Sequence, residues 1–244
     1  MTRKPVRGLF ITGTDTEIGK TYVAAMIARS LAAQGHRVGV YKPAASGCEV
    51  QAGTLVSDDA LTLWKAAGSP GTLAEVCPQV FAAPLAPHLA AKAEGKQLDL
   101  ALLRRGLDIW LDQSDVVLVE GAGGLMSPLG EDEYVADLSA DLGFPLVVVA
   151  RNTLGVINHV LQTLITAATF REGLPVAGIV LNETSPRTSN ASLDQNAREI
   201  RRRAVPPVLA EVGWQADRFS PEVDWFALAA EAGQLNAGHD DGDS

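Results

Sequence analysis

A Gly-Lys-Thr triplet at residues 19–21 closes the stretch TGTDTEIGKT, between an apolar run and a helical pattern. This context is typical of a loop that binds nucleotide phosphates. Backbone N–H groups around Gly19 would face the phosphates, Lys20 would place a positive charge near the β and γ oxygens, and the Thr21 hydroxyl can ligate Mg²⁺. The usual loop has its first glycine where this chain has Thr14, and Gly13 lies one residue too early.

A second lysine, Lys42, follows the second apolar run in YKPAASGCE. Pro43 biases Lys42 towards an extended backbone, which would hold its ammonium group in one place. A solvated lysine at a strand end is the simpler interpretation. Beside a phosphate loop, however, Lys42 can face Lys20 across the site, and two lysines allow two anions to be brought together.

Carboxylates follow two other segments. SDDAL places Asp58 and Asp59 where a helix should start, so that one can cap the helix and the other is available for Mg²⁺. VVLVEGAGG ends a hydrophobic strand at Glu120, beside three glycines, in a Walker-B-like arrangement that holds or orients a metal. A carboxylate that closes a buried strand needs a cation or hydrogen-bond donors to offset its desolvation.

Other polar residues follow the later strands. Asn182 offers a donor and an acceptor that suit the edge of adenine, although it can equally be a turn former. LGVINH, residues 154–159, opens a helix whose free N–H groups could receive a carboxylate. His88 and His159 have no catalytic partner in the sequence, so we interpret them as helix-start or surface residues.

These residues require strands that end at one edge of a sheet. Several apolar runs do not alternate with polar residues, as expected for strands covered on both faces. We predict one α/β domain over residues 1–235, with a doubly wound, mainly parallel sheet and helices on both faces, of the P-loop NTPase type, followed by a disordered acidic tail at 236–244. The predicted strands are 8–12, 38–42, 116–120, 145–150, 176–182 and 207–212. The predicted helices are Gly19–Ala33, Ser57–Ala67, Asp99–Asp112, Val156–Arg171, Ser189–Arg203 and Pro221–Ala230.

Composition narrows the function classes. Of 244 residues, 47% are hydrophobic, enough for a sizeable core, and a net charge of -9 argues against nucleic-acid binding. Cys48 and Cys77 lack the spacing of a zinc site or a disulfide framework. No signal peptide is indicated, and no apolar run reaches the roughly 20 residues of a membrane span. We expect a soluble cytoplasmic protein with neither a nucleic-acid nor a membrane partner.

Six segments together resemble the dethiobiotin synthetases. They are TGTDTEIGKT, YKPAASG, SDDAL, VEGAGG, LGVINH and VLNE, and the similarity runs from about Leu9 to Trp214. The resemblance implies a homodimeric ligase of biotin biosynthesis that uses ATP and Mg²⁺. Its small-molecule substrates would be 7,8-diaminononanoate, CO₂ and ATP. A carbamate would attack the γ-phosphate, and the second amine would close the resulting carbamic–phosphoric anhydride to dethiobiotin, releasing ADP and phosphate.

The resemblance also implies a role for each matching residue, with Lys42 as the catalytic lysine and Lys20 beside it. Mg²⁺ would be held by Thr21, Asp59 and Glu120. Nucleotide contacts would come from Glu17, Ile18, Gly19, Lys20, Thr21, Tyr22, Asp59, Glu120, Gly121, Ala122, Gly123, Asn182, Glu183, Val212, Gly213 and Trp214. Substrate contacts would come from Thr16, Lys42 and Ser46, and from Gly155, Val156, Ile157 and Asn158, which in the family's homodimer take the carboxylate of the neighbouring subunit's substrate. Relatives often read Ile-Pro-Trp where this chain has Val212-Gly213-Trp214, so nucleotide preference is left open.

Two other classes compete with this interpretation. Switch ATPases of the partition or cell-division type act through partner binding and place a signature lysine five residues before the loop lysine, where this chain has Asp15. The synthetase domain of a cobalamin-pathway amidotransferase would need an appended glutaminase domain. The chain has no room for one.

Overall fold

The computed structural model describes residues 6–186 and 191–231. Its strands are β1 (Arg7–Gly13), β2 (Val38–Tyr41), β3 (Glu49–Gln51), β4 (Thr54–Val56), β5 (Val116–Gly124), β6 (Leu146–Arg151), β7 (Val176–Asn182), β8 (Val208–Val212) and β9 (Ala230–Glu231). Its helices are α1 (Lys20–Ala33), α2 (Asp58–Ala66), α3 (Leu73–Val76), α4 (Pro87–Ala93), α5 (Leu100–Arg105), α6 (Asp108–Gln113), α7 (Val135–Leu142), α8 (Val156–Thr169), α9 (Ala191–Arg203) and α10 (Trp225–Leu228).

The central sheet is parallel in the order β2-β5-β1-β6-β7-β8, and β9 adds an antiparallel pairing with β1. Consecutive residues Leu9, Phe10 and Ile11 of β1 are all fully buried. Since successive side chains of a strand point to opposite faces, both faces of the sheet are covered. The predicted doubly wound α/β fold is confirmed, and all six predicted strands are present.

Strand β5 runs beyond its predicted end at Glu120, as far as Gly124. Gly124 pairs with Gly13 after a register shift, and a Cβ atom on Gly124 would lie only 3.0 Å from the Gly13 carbonyl oxygen. Glycine therefore permits a close approach that continues the strand pairing. The segment predicted as a loop is the last part of the strand.

Two predicted helices are wrong in extent. Asp99–Asp112 is divided into α5 and α6 around Gly106, where the Tyr41 hydroxyl donates to the carbonyl oxygens of Leu102 and Leu103 at 3.0 and 3.1 Å. A Cβ atom on Gly106 would lie 2.3 Å from that hydroxyl, so glycine makes room for the tyrosine.

The predicted helix Pro221–Ala230 shortens to α10. Its N-cap, Asp224, accepts a hydrogen bond from the Ala227 N–H at 2.9 Å, which places the helix start after Pro221. At the other end, Ala230 pairs with Gly8 of β1. The pairing gives this segment strand hydrogen bonds in place of helical ones.

The β3–β4 hairpin and helices α3, α4 and α7 were not predicted from the sequence. Helix α9 was predicted from Ser189, which lies outside the described residues, as does the tail at 236–244, so the one-domain boundary at residue 235 stays a prediction. Cys48 and Cys77 are buried and unpaired. Among the described residues, no helix combines the length and apolar character needed to cross a bilayer.

Candidate active site

A cleft of about 1070 Å³ opens at the carboxyl ends of the parallel strands. Loops that follow β1, β2, β5, β7 and β8 contribute to its walls, as expected for ligand sites of open α/β sheets. Its lining includes Thr16, Glu17, Gly19, Lys20, Thr21, Tyr22, Lys42, Ser46, Asp59, Glu120, Gly121, Ala122, Gly123, Asn182, Glu183 and Trp214. The fold therefore brings most of the predicted site residues together in this cleft.

The phosphate loop, residues 13–20, turns through two left-handed residues, Glu17 at φ 53° and Gly19 at φ 90°. A Cβ atom on Gly19 would lie 2.1 Å from Nδ2 of Asn182, so this position needs glycine both for its backbone angle and for space. The Lys20 ammonium group donates to the Asp15 carbonyl oxygen at 2.8 Å. The loop thus bends without the glycine that is missing at Thr14.

Lys42 and Glu120 meet because their strands are neighbours. Tyr41 and Val119 are partners in the β2–β5 register, and Lys42 and Glu120 are the residues that follow them. The Lys42 ammonium nitrogen lies 2.7 Å from Oε1 of Glu120 and 2.9 Å from Oδ2 of Asp59. The simpler interpretation of Lys42 as a solvated lysine is wrong, since its side chain is 5% exposed.

Charges in the cleft shift the pKa values of these groups in different directions. Burial by itself lowers the pKa of Lys42, but the Glu120 and Asp59 carboxylates outweigh it, so the pKa is raised and Lys42 stays protonated. Burial opposes ionisation of Asp59, yet Lys42 holds the pKa of Asp59 below its usual value. Burial lowers the pKa of Lys20, and Lys42 adds to the effect, while Glu120 opposes it.

The oxygen atoms around Glu120 fit a hard divalent cation. Thr21 donates its hydroxyl proton to Oε1 of Glu120 at 2.8 Å, and Asp59 reaches the same region through Lys42. Oε2 of Glu120 is buried and has no hydrogen-bond partner among the residues that the structure describes, so a cation would satisfy it. In the same part of the chain no three His, Cys, Asp or Glu side chains group around one point. Thr21, Asp59 and Glu120 would therefore leave some coordination positions of the cation to water and phosphate oxygens, as is usual for Mg²⁺.

The wall at the end of β7 and β8 is built around Asn182 and Trp214. Asn182 donates from Nδ2 to the Ile18 carbonyl oxygen at 2.9 Å, so its donor is used by the phosphate loop. Its buried Oδ1 has no partner within the described ranges and remains available as an acceptor. Trp214 is 44% exposed and lines the cleft, and the Tyr22 hydroxyl donates to the Ala216 carbonyl oxygen, which ties this wall to α1.

Known proteins resemble this chain along most of its length. A family model described as an AAA domain matches residues 7–221. An ATP-dependent dethiobiotin synthetase BioD from Rhodopirellula baltica is 44% identical over 214 residues, covering 83% of this chain and 82% of that protein. One of the same name from Anaeromyxobacter dehalogenans is 45% identical over 212 residues, covering 87% of this chain and 92% of its own length. The chain belongs to the ATP-dependent dethiobiotin synthetase family.

Membership of the dethiobiotin synthetase family makes the protein an ATP-dependent ligase of biotin biosynthesis. Solved structures add the fold alone. FtsY from Elizabethkingia anophelis in complex with GDP has a TM-score of 0.54 at 16% identity, covering 90% of this chain and 60% of that chain. The ParA structure from pNOB8 has a TM-score of 0.51 at 15% identity, covering 86% and 88%. They support the P-loop NTPase type, and the identity of the synthetase rests on its sequence relatives.

Some residues predicted for the synthetase site do not line the cleft. Ile18 belongs to the phosphate loop, but its side chain is buried, and its carbonyl oxygen accepts from Asn182. Val212 is buried at the end of β8, and Gly213 follows it outside the lining. The start of α8 also lies outside the cleft; this group comprises Gly155, Val156, Ile157 and Asn158.

The expected cap of α2 is wrong. Ser57, not an aspartate, caps the helix by accepting from the Ala60 N–H at 3.2 Å. Asp58 instead accepts from the Gln51 side chain at 2.9 Å, and Asp59 is left to Lys42. A serine before two acids is itself a common cap, so this signal was present in the sequence.

Several cleft residues carried no chemical signal in the sequence. The loop at 84–87, together with Ser127 and Pro128, also lines the cleft. His88 lies in the first turn of α4 and its Nδ1 is 3.2 Å from the Pro128 carbonyl oxygen, while His159 is exposed on α8. Both histidines have the helix-start or surface placement that was predicted.

Proposed function

We propose that the enzyme closes 7,8-diaminononanoate with CO₂ to dethiobiotin, with ATP as the activating co-substrate. The observation that carries this proposal is the presence of two buried lysines, Lys20 and Lys42, in one cleft beside the phosphate loop. A reaction between a carbamate and a triphosphate joins two anions. Such a reaction needs fixed cations where negative charge accumulates.

Lys20 and Lys42 have distinct parts in this proposal. Lys20 is the last residue of the phosphate loop and the first of α1, so it neutralises the β and γ oxygens of ATP. Lys42 follows β2, which is separated from β1 by β5 in the sheet, and its raised pKa keeps it cationic. It therefore holds the carbamate oxygen against the γ-phosphorus and orients it for attack.

The bond changes balance without any other reactant. One amine adds to CO₂ and loses a proton to give the carbamate, whose oxygen attacks the γ-phosphorus while ADP departs. The second amine attacks the carbamate carbon, phosphate leaves, and the attacking nitrogen loses a proton as the cyclic urea forms. Thr21, Asp59 and Glu120 would hold Mg²⁺, which supplies charge neutralisation at the phosphates.

Other residues of the cleft lining suit an aliphatic diamine. Thr16 and Ser46 offer hydroxyl groups, and Pro84, Leu85 and Pro87 offer an apolar surface for the carbon chain. The start of α8 lies outside this cleft, so we propose that it contacts the substrate carboxylate of a neighbouring subunit, as the family resemblance implies. We accordingly propose a homodimeric cytoplasmic enzyme without a nucleic-acid or membrane partner.

The experiment is phosphate release from ATP with the diamine and bicarbonate supplied together, each alone, or neither, with ¹³C-bicarbonate to label the product. We expect release only with both, and one ¹³C atom per ring formed. Release that ignores the diamine but rises with DNA or lipid vesicles would favour a switch ATPase and overturn the proposal.

A further inference from the structure

Arg151 and Asn182 stand side by side at the carboxyl ends of β6 and β7, where they are partners in the strand register. Arg151 donates from Nη2 to the carbonyl oxygen of Glu17, and Asn182 donates from Nδ2 to the next carbonyl, that of Ile18. Two neighbouring strand ends thus bind two consecutive peptide units of the phosphate loop. We infer that Arg151 is a positioning residue, which orients the backbone of this loop for phosphate binding.

The hydrogen bonds from Arg151 and Asn182 also fix the orientation of backbone N–H groups in the phosphate loop. In a trans peptide the C=O and N–H bonds point in opposite directions. Holding the carbonyls of Glu17 and Ile18 therefore also fixes the N–H groups of Ile18 and Gly19, which point away from the two side-chain donors. Such N–H groups are the ones that a phosphate loop presents to an anion.

The loop needs this support because its backbone is not in a preferred conformation. Glu17 adopts φ 53°, in the left-handed region that is unfavourable for residues with a Cβ atom. The neighbouring turn at Gly19 packs closely against Asn182, whereas Glu17 is exposed. The hydrogen bond from Arg151 is accepted by the carbonyl oxygen of Glu17, the residue whose backbone is strained.

The segment that directly follows Arg151 is held by hydrogen bonds to β7 and α9. The N–H of the next residue, Asn152, donates to the Asn182 carbonyl oxygen at 2.8 Å. Asn196 of α9 donates from Nδ2 to Oδ1 of Asn152 at 2.8 Å and to the Thr153 carbonyl oxygen at 3.2 Å. Asn152 and Asn196 are both buried. Helix α9 therefore braces the strand ends from which the two donors reach the loop.

Three variants test the role of Arg151, which rests on the proposed phosphate role of the loop. Arg151→Met removes the donor but keeps the length of the side chain, and Arg151→Lys keeps a cationic donor without the planar fork. Arg171→Met is the matched control, because it also removes arginine hydrogen bonds, but these reach Asp137 and Asp141 of α7 and not the phosphate loop.

Two readouts separate positioning from a general loss of stability: the ADP dissociation constant by calorimetry, and hydrogen exchange of the Ile18 and Gly19 amides without nucleotide. We expect Arg151→Met to weaken ADP binding about tenfold, the size of one lost charged hydrogen bond, and to speed exchange of those amides. Arg151→Lys should be intermediate in both. Arg171→Met should change neither, whatever its melting temperature.

ADP binding by Arg151→Met within twofold of wild type would overturn the inference, as would an equal loss in Arg171→Met. If Arg151→Met does not fold, Arg151→Lys decides, since wild-type exchange at Ile18 and Gly19 in that variant would contradict the role. Failure of the wild-type enzyme to bind ADP would overturn the phosphate role of the loop itself. Equal binding by wild type and variant would overturn only the role of Arg151.

Discussion

The Lys42 ammonium group lies 2.7 Å from the Glu120 carboxylate, because Lys42 directly follows β2 and Glu120 lies within the adjacent parallel strand β5. A buried carboxylate without a partner would cost several kcal/mol, so each group stabilises the charge of the other. The same contact holds a cation beside the phosphate loop before any reactant arrives. Structure and proposed chemistry therefore depend on one ion pair.

Replacement of Lys42 should remove turnover. We expect Lys42→Gln to lower kcat by about 10²-fold or more, because a fixed positive charge is lost where two anions react. Lys65→Gln is the control, since Lys65 is an exposed lysine in the last turn of α2. Phosphate release under saturating substrates measures the effect. Near-normal kcat in a folded Lys42→Gln variant would exclude Lys42 from the mechanism.

Gly19 and Gly35 form a natural matched pair for mutation to alanine. Their φ angles are 90° and 87°, but a Cβ atom on Gly19 would meet Asn182 at 2.1 Å, whereas one on Gly35 would meet nothing within 4 Å. We expect Gly35→Ala to cost about 1 kcal/mol of unfolding free energy from its left-handed backbone alone. Gly19→Ala should cost more and should also abolish ADP binding. Urea unfolding and calorimetry would measure both; equal losses for the two variants would contradict the packing of Asn182 against Gly19.

Most of the central strands were predictable because they are short apolar runs covered on both faces, as in β1, β2 and β6, and such runs stand out in the sequence itself. The division at Gly106 was not, because it depends on the Tyr41 hydroxyl, which comes from a distant part of the chain. The lysines and acids of the cleft were found through motifs. Arg151 was missed because its contact with Glu17 spans 134 residues of sequence and no local pattern marks it.

Trp214 should set the affinity for the nucleotide base. Its partly exposed ring lines the same cleft as Asn182, whose Oδ1 has no hydrogen-bond partner among the described residues, so the ring can stack on adenine. We expect Trp214→Ala to raise KM for ATP about tenfold, as for the loss of one base–aromatic stack, with KM for the diamine nearly unchanged. Initial rates with each substrate varied in turn measure both constants. A rise in the diamine KM alone would contradict contact between Trp214 and the nucleotide base.

Asp115 gives a pH dependence that is independent of catalysis. Hydrogen bonds from Arg37 lower the pKa of Asp115 to about 2, so the pair stabilises the fold above the ordinary pKa of an aspartate and loses that effect as pH falls towards 2. Arg37 is largely exposed, so solvent keeps the contribution below about 1 kcal/mol. Asp115→Asn should therefore be less stable than wild type in urea at pH 6, with the difference narrowing towards pH 3. A difference that widens on acidification would contradict this pairing.

A crystal structure with the diamine, bicarbonate and a non-hydrolysable ATP analogue tests the central claim most directly. The account predicts that Nζ of Lys42 lies at hydrogen-bond distance, roughly 3 Å, from both a carbamate oxygen and a γ-phosphate oxygen, with Lys20 on the phosphates. A Lys42 side chain that stays on Glu120 and Asp59, out of reach of both ligands, would contradict it.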